Sequence, residues 1–262
     1  MIMLITLTTD FGLQDSFVGI MKGVIAGINP QVRVIDVTHG IPVQNVMAGA
    51  LALQHSIAYF PRGTIHVAVV DPGVGSARRP ILIECDGNYL IGPDNGVLSL
   101  AIGALKPDHI VELSNPIYQL RPASATFHGR DIFAPAAAHL SLGVAPAAFG
   151  PKSATFLNLA RPKVRRREKT LEGEIVYIDA FGNLFTNIEE HDLTGPAADR
   201  AEIAVGSVCV PGLSLSYGAA AVGDFVAVIN SWGLLEIAVY RGNAQKNTGA
   251  KIGDKVTVIF GA

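Results

Sequence analysis

Four short polar clusters hold the residue types from which a site could be built. Thr8-Thr9-Asp10-Phe11-Gly12, Val70-Asp71-Pro72-Gly73-Val74-Gly75 and Gly92-Pro93-Asp94-Asn95-Gly96 each follow an apolar, β-branched run. A fourth, Thr126-Phe127-His128-Gly129-Arg130-Asp131, precedes a helical pattern. Carboxylates accept hydrogen bonds from hydroxyl groups, histidine exchanges a proton near neutral pH, and glycine lets backbone approach a ligand closely. In parallel α/β sheets the carboxyl ends of strands are where ligands bind. Each cluster also has an ordinary explanation. Asp94-Asn95-Gly96 reads as a turn, and Asp131 as the acid in the first turn of a helix. Arg79 reads as a solvated loop cation. His39, in Asp36-Val37-Thr38-His39, closes a strand too, and a structural role is preferred for it.

The elements that must position these clusters alternate through the first 150 residues. Ile2–Thr9 reads as a buried strand, and Phe17, Ile20, Met21, Val24, Ile25 and Ile28 mark one face of a helix that Pro30 ends. Val32–Val37, Thr64–Val70, Pro80–Cys85 and Tyr89–Ile91 read as strands, with helices at Asn45–Tyr59, Val97–Leu105 and Asp131–Leu142. Such alternation predicts a covered, mostly parallel sheet. Near residue 160 the pattern changes. The run Arg161–Lys169 has six basic residues and no apolar periodicity, as in a solvated linker. Beyond it come short runs at Glu172–Ile178, Ala201–Val210, Asp224–Ile229, Leu234–Tyr240 and Lys255–Phe260, punctuated by Gly, Asn and Asp. The fold class expected is α/β: an N-terminal covered sheet domain over 1–160, a linker over 161–169, and a smaller antiparallel β barrel or sandwich over 170–262.

Composition narrows the function classes. Of 262 residues, 49% are hydrophobic and 16% charged, enough for a real core and unlike a disordered chain. A net charge of -2 and an aromatic content of 7% give no general reason to expect nucleic acid or an anionic membrane as partner. Cys85 and Cys209 stand far apart in apolar runs, as reduced thiols acting as small hydrophobes. No His-x-x-x-His or Cys-x-x-Cys occurs, so no metal site is expected. The chain shows no signal-peptide pattern and no apolar run of 18 residues, and a cytoplasmic location is expected.

Together, in order and at this spacing, several motifs resemble those of the S-adenosyl-L-methionine hydroxide adenosyltransferases, relatives of the S-adenosylmethionine-dependent fluorinase and chlorinase. They are Thr9-Asp10-Phe11-Gly12, Phe17-Val18-Gly19 and Met21-Lys22-Gly23; Asp36-Val37-Thr38-His39; Val70–Gly75 with Arg78-Arg79; Gly92–Gly96; Thr126–Asp131; Asp179-Ala180-Phe181-Gly182-Asn183 with Thr186-Asn187; and Asn230-Ser231-Trp232-Gly233. The resemblance implies a water-activating triad at Asp71, Arg78 and His128. It implies that Asp10 grips the ribose hydroxyls, that Asp179 and Ser231 hold the methionine amino and carboxylate groups, and that Asn183 pairs with adenine. Phe127 and Phe181 could stack on the base, with core packing the default for either. The halogenases carry Tyr where Asp71 stands and Tyr-Ser where His128-Gly129 stands; Gly129 therefore argues for an oxygen nucleophile. Trp232 replaces an Arg of the fluorinase. The resemblance further implies a homotrimer with its sites at subunit interfaces and no cofactor beyond the substrate.

The implied chemistry is physically reasonable. Attack of hydroxide on the carbon next to a sulfonium annihilates both charges, so a dry pocket favours it. Holding carbon, sulfur and nucleophile in line is worth roughly 7–11 kcal/mol at best. In this scheme Arg78 stabilises developing hydroxide, His128 accepts the proton and Asp71 orients either partner. Three alternatives stand beside it: a halogenase, a metal-dependent phosphoesterase built on Asp10, Asp15, His39, Asp71 and His128, and a nucleic-acid-binding module using Arg161–Lys169.

Overall fold

The computed structural model describes residues 4–193 and 200–261, so Ile2 and Met3 of the first expected strand lie outside the described residues. The chain divides into two compact units, 1–159 and 160–262. In the first, the elements run β1 (Leu4–Thr9), α1 (Phe17–Ile28), β2 (Arg33–Thr38), α2 (Val46–Ile57), β3 (Ile65–Val69), β4 (Pro80–Cys85), β5 (Asn88–Pro93), α3 (Ser99–Ile102), β6 (His109–Glu112) and α4 (Ala134–Ser141). The six strands form one sheet in the order β2-β1-β3-β5-β4-β6. β1 pairs in parallel with β2 and β3, and β3 with β5, whereas β4 is antiparallel to β5 and β6. The sheet is thus mostly parallel.

Its core follows from the apolar periodicity. Met21 and Ile25 of α1, Ile5 and Leu7 of β1, Ile65 and Val67 of β3, and Phe133 beside α4 pack into one buried cluster. Each such side chain contributes about 1.5–3 kcal/mol on leaving water. Asn45 caps α2 by accepting from the Ala48 amide at 2.9 Å. The parallel register decides where chemistry can occur. Thr9 lies opposite Val69, so the chain leaves β1 and β3 at the same sheet edge and brings Asp10 beside Asp71.

Two expected elements differ. The helix expected over Val97–Leu105 shrinks to the single turn Ser99–Ile102, because Gly103 takes a positive φ of 57° there. The helix expected from Asp131 is preceded by a wide π turn over Gly129–Phe133 and becomes α-helical only at Ala134. β6, four residues long, was not foreseen.

The second unit contains β7 (Arg165–Arg167), β8 (Thr170–Ile178), β9 (Leu184–Glu189), β10 (Glu202–Val205), β11 (Val208–Pro211), β12 (Phe225–Ile229), β13 (Leu234–Val239), α5 (Ala244–Thr248) and β14 (Lys255–Ile259). The strands pair antiparallel in the order β11-β10-β14-β8-β9-β13-β12, with β7 added on β8. The sheet curls into a nearly closed, barrel-like form whose end strands β11 and β12 lie against each other. Its centre is filled by Leu171, Ile175, Leu184, Ile188, Ile203, Leu235, Ile237 and Val258. The run expected as one strand over Ala201–Val210 is a hairpin turning at Gly206, whose φ is 56°. Part of the stretch expected as linker, Arg165–Arg167, is an exposed edge strand. Among the described residues no helix is long and apolar enough to cross a membrane.

Candidate active site

At the carboxyl edge of the first unit's sheet lies a cavity of about 300 Å³. Asp10, Asp71, Phe127, His128 and Gly129 line it, joined by Phe11, Phe17, Val43 and Gln44. Of the residues expected in a site, these five come together at one place. Phe127 stands edge-on to Phe11 and Phe17, at centroid distances of 5.9 and 5.2 Å, and forms one apolar wall. Gly129 is close-packed: a Cβ there would sit 3.1 Å from the Met21 sulfur and 3.2 Å from the Phe127 ring. Asp10 Oδ2 accepts from the Gln44 amide at 2.8 Å, which leaves Oδ1 for another donor.

Arg78 stands behind the wall and ties it together. Its Nε donates to Asp71 Oδ1 at 3.0 Å and its Nη2 to Asp71 Oδ2, a bidentate pair in which both side chains are more than nine-tenths buried. The same Nη2 donates to His128 Nδ1 at 2.7 Å. Arginine has no lone pair to offer, so His128 Nδ1 must be the acceptor and the ring proton is assigned to Nε2. Burial first, and the Arg78 charge second, hold the His128 pKa below its usual 6.5, against the opposing pull of Asp71 and Asp131. His128 is therefore neutral at pH 7, with the lone pair on Nδ1 already engaged by Arg78. Nη1 of Arg78 is buried and has no hydrogen-bond partner among the described residues.

Several neighbouring polar residues have structural work instead. Arg79, expected in solvent, donates Nε to Asp94 at 3.0 Å, Nη1 to Ser153 at 2.8 Å and Nη2 to the Thr155 carbonyl at 2.9 Å. Asp94 also accepts from the Leu157 amide, so the Gly92–Gly96 cluster pins the end of the first unit rather than lining the cavity. Asp131 keeps its place as the acid of a helical first turn. It is 1% exposed and bound by Arg130 and by both the amide and hydroxyl of Ser124. His39 is buried and contacts Thr9 and Asp36. Among the described residues no three His, Cys, Asp or Glu side chains are grouped to hold a metal ion, so the five-residue metal cluster does not assemble.

In the second unit, Asp179, Phe181 and Asn183 share the tight turn between β8 and β9. Asp179 Oδ1 accepts from the amides of Phe181 and Asn183, and Oδ2 from the Asn183 side chain. Phe181 is 75% exposed, which corrects the core-packing default for it. Ser231 and Trp232 occupy the turn between β12 and β13, where Trp232 packs on Tyr177 and Phe185. Cys209 is exposed, unlike Cys85, because it sits on the outer face of an edge hairpin.

Sequence reasoning missed Glu236. This carboxyl group is fully buried and accepts from the Tyr217 hydroxyl at 2.7 Å. Burial raises its pKa, while Tyr217, Asn230 and Asn183 favour the charged form and Asp179 opposes it. A signal was present: Leu234-Leu235-Glu236-Ile237-Ala238-Val239 places one acid inside an otherwise apolar strand. Phe17, Val43 and Gln44 were missed as cavity residues because nothing local marks them.

Comparison with known proteins adds independent observations. Residues 5–150 match the family model for the SAM hydroxide adenosyltransferase N-terminal domain, and residues 173–257 match that for its C-terminal domain. A Salinispora tropica protein named (R)-S-adenosyl-L-methionine hydrolase is 38% identical over 263 residues, covering 98% of each chain. A Thermus thermophilus protein of the same name is 39% identical over 258 residues, covering 96% of this chain and 97% of its own. The crystal structure of a conserved Thermotoga maritima protein superimposes with a TM-score of 0.89 at 34% identity, over 97% of this chain and 99% of that one.

Proposed function

We infer that this chain, which belongs to the SAM hydroxide adenosyltransferase family, hydrolyses S-adenosyl-L-methionine to adenosine and L-methionine. The observation that carries the reading is the linked trio Asp71, Arg78 and His128 on a cavity that also holds Asp10. Asp10 holds the ribose through its free oxygen, and the Phe127 wall takes apolar surface of the nucleoside. A water oxygen attacks ribose C5′ in line with the sulfur. The C5′–O bond forms, the C5′–S bond breaks, its electron pair returns to sulfur, and the neutral thioether of methionine leaves. One proton is lost from the attacking water.

In this proposal the proton departs through Asp71 rather than His128. With Nδ1 of His128 taken by Arg78, the lone pair assumed for proton acceptance is not free. Asp71 lines the cavity and keeps unshared lone pairs beyond its two bonds to Arg78. It accepts the hydrogen bond, and then the proton, from the attacking oxygen. Arg78, directly behind Asp71, supplies a positive charge that favours an oxygen acquiring negative charge. His128 holds Arg78 in place as a neutral ring. Asp179 and Ser231 bind the methionine head group, Asn183 and Phe181 serve adenine, and Trp232 borders the methionine end.

Candidate ligand residues occur in both units, which supports a homotrimer with sites at subunit interfaces. The same proposal has the enzyme working in the cytoplasm on a small molecule, with no resident cofactor or metal, no nucleic acid and no membrane. The halogenase reading is disfavoured by the space at Gly129, where a serine would start in contact with Met21 and Phe127.

Incubation with S-adenosyl-L-methionine in ¹⁸O-water tests the reaction. Heavy oxygen is expected in the adenosine 5′-hydroxyl; unlabelled adenosine, or 5′-halo-5′-deoxyadenosine formed with chloride or fluoride, would exclude hydrolysis at C5′.

A further inference from the structure

His39 is almost fully buried, yet it lies outside the cavity and has no part in the chemistry described above. Two of its contacts lead toward Asp10. Thr9 Oγ1 lies 2.8 Å from His39 Nδ1 and also accepts from the Phe11 amide at 3.2 Å. The His39 carbonyl accepts from the Gly12 amide at 2.8 Å. The two residues that follow Asp10 are therefore both held by His39, one through the Thr9 hydroxyl and one directly. Gly12 turns there with a φ of 67°, a conformation that frees the chain to double back onto His39.

On the ring's other side, Asp36 Oδ1 approaches Nε2 to 3.0 Å without the alignment of a hydrogen bond, and Asp36 Oδ2 accepts from Lys22 at 2.6 Å. A carboxylate there favours the proton on Nε2. Nδ1 is then the acceptor, and the Thr9 hydroxyl must donate to it. That fixes the hydroxyl rotor, so that the Thr9 lone pairs face the Phe11 amide.

We propose that His39 is a positioning residue for ribose recognition: through Thr9 and its own carbonyl it fixes the turn that aims the Asp10 carboxylate. This rests on the reading of Asp10 as the ribose-binding group. Removal of the ring's acceptor leaves the Thr9 hydroxyl free to rotate and the turn free to wander, so Asp10 loses its aim without leaving the cavity.

The test compares the affinities of adenosine and 2′,3′-dideoxyadenosine by titration calorimetry, with folding monitored by circular dichroism. Hydrogen bonds from two hydroxyls to a carboxylate predict that the wild type prefers adenosine by about ten- to a hundred-fold. His39→Leu and Thr9→Val should each shrink that preference to about threefold or less. His39→Asn, whose Oδ1 stands where Nδ1 was, should keep most of it. A residue that merely stabilises the fold would weaken both ligands alike and leave the ratio unchanged. An unchanged ratio in His39→Leu would overturn the proposal, and should that variant not fold, an unchanged ratio in Thr9→Val would do the same. Equal affinities in the wild type would instead remove the ribose role of Asp10, and this proposal with it.

Discussion

Arg78 is the side chain through which Asp71 and His128 are joined, because one guanidinium nitrogen serves both. Each partner depends on it differently. Asp71 loses a buried counter-charge if Arg78 is removed, and His128 loses the donor that sets its tautomer. Arg78→Ala and His128→Ala should each lower kcat by about 10²-fold or more while adenosine still binds, as steady-state kinetics and nucleoside titration would read. Wild-type rates in both would dismiss the trio. The pH dependence has a definite sign. The His128 pKa is depressed by burial and by the Arg78 charge, so the neutral ring persists at pH values where an ordinary histidine is half protonated. The acidic limb of kcat/KM should lie below pH 6.5, because protonation would put a second positive charge against Arg78. The identities of Asp10, Asp71 and His128 as cavity residues were legible in the sequence. The tautomer of His128 was not, since it depends on a donor 50 residues away.

Elements held together by close backbone approach set a second class of expectations. Gly49 lies inside α2, where alanine ordinarily stabilises by about 1 kcal/mol. Here a Cβ would sit 2.8 Å from Val70 Cγ2 and 3.2 Å from Val97 Cγ2. Overpacking costs about 1–3 kcal/mol, so Gly49→Ala should destabilise in urea titration, opposite to its propensity. His66 of β3 is buried, accepts from or donates to Thr6 of β1 at 2.8 Å, and packs against Phe60. Burial lowers its pKa from 6.5 to about 4. Between those values the unfolded chain binds a proton that the native chain excludes. Its contribution is thus fully present above pH 6.5 and falls by roughly 3 kcal/mol as pH drops toward 4. His128 and His139, whose pKa values are also depressed by burial, act in the same direction. His66→Asn should be less stable at pH 7 yet show a shallower loss between pH 6.5 and 4, measured by chemical denaturation at several pH values. An identical slope would mean that His66 titrates normally.

At the scale of the whole molecule, the chain joins an α/β unit with the candidate triad to a barrel-like unit with the candidate methionine and adenine residues. A homotrimer should give a light-scattering mass three times the chain's 27.5 kDa. A fully active monomer would refute the assembly. Asp179→Asn and Ser231→Ala should raise KM for S-adenosyl-L-methionine more than they lower kcat, because neither belongs to the trio that handles the oxygen.

By itself the sequence determined the alternation of elements, the change of architecture near residue 160 and the polar groups at the strand ends. These follow from local rules: apolar periodicity, glycine and proline punctuation, and the placement of polar residues where strands stop. The short strands β6 and β9 escaped those rules because four residues, or a run interrupted by Thr186 and Asn187, carry too little pattern. Only the tertiary structure decided that Arg78 is buried between Asp71 and His128 while Arg79, its neighbour, serves Asp94, Ser153 and Thr155. Two adjacent arginines look alike in sequence. Their roles diverge because one faces the cavity wall and the other the end of the same unit, a difference set by partners far along the chain.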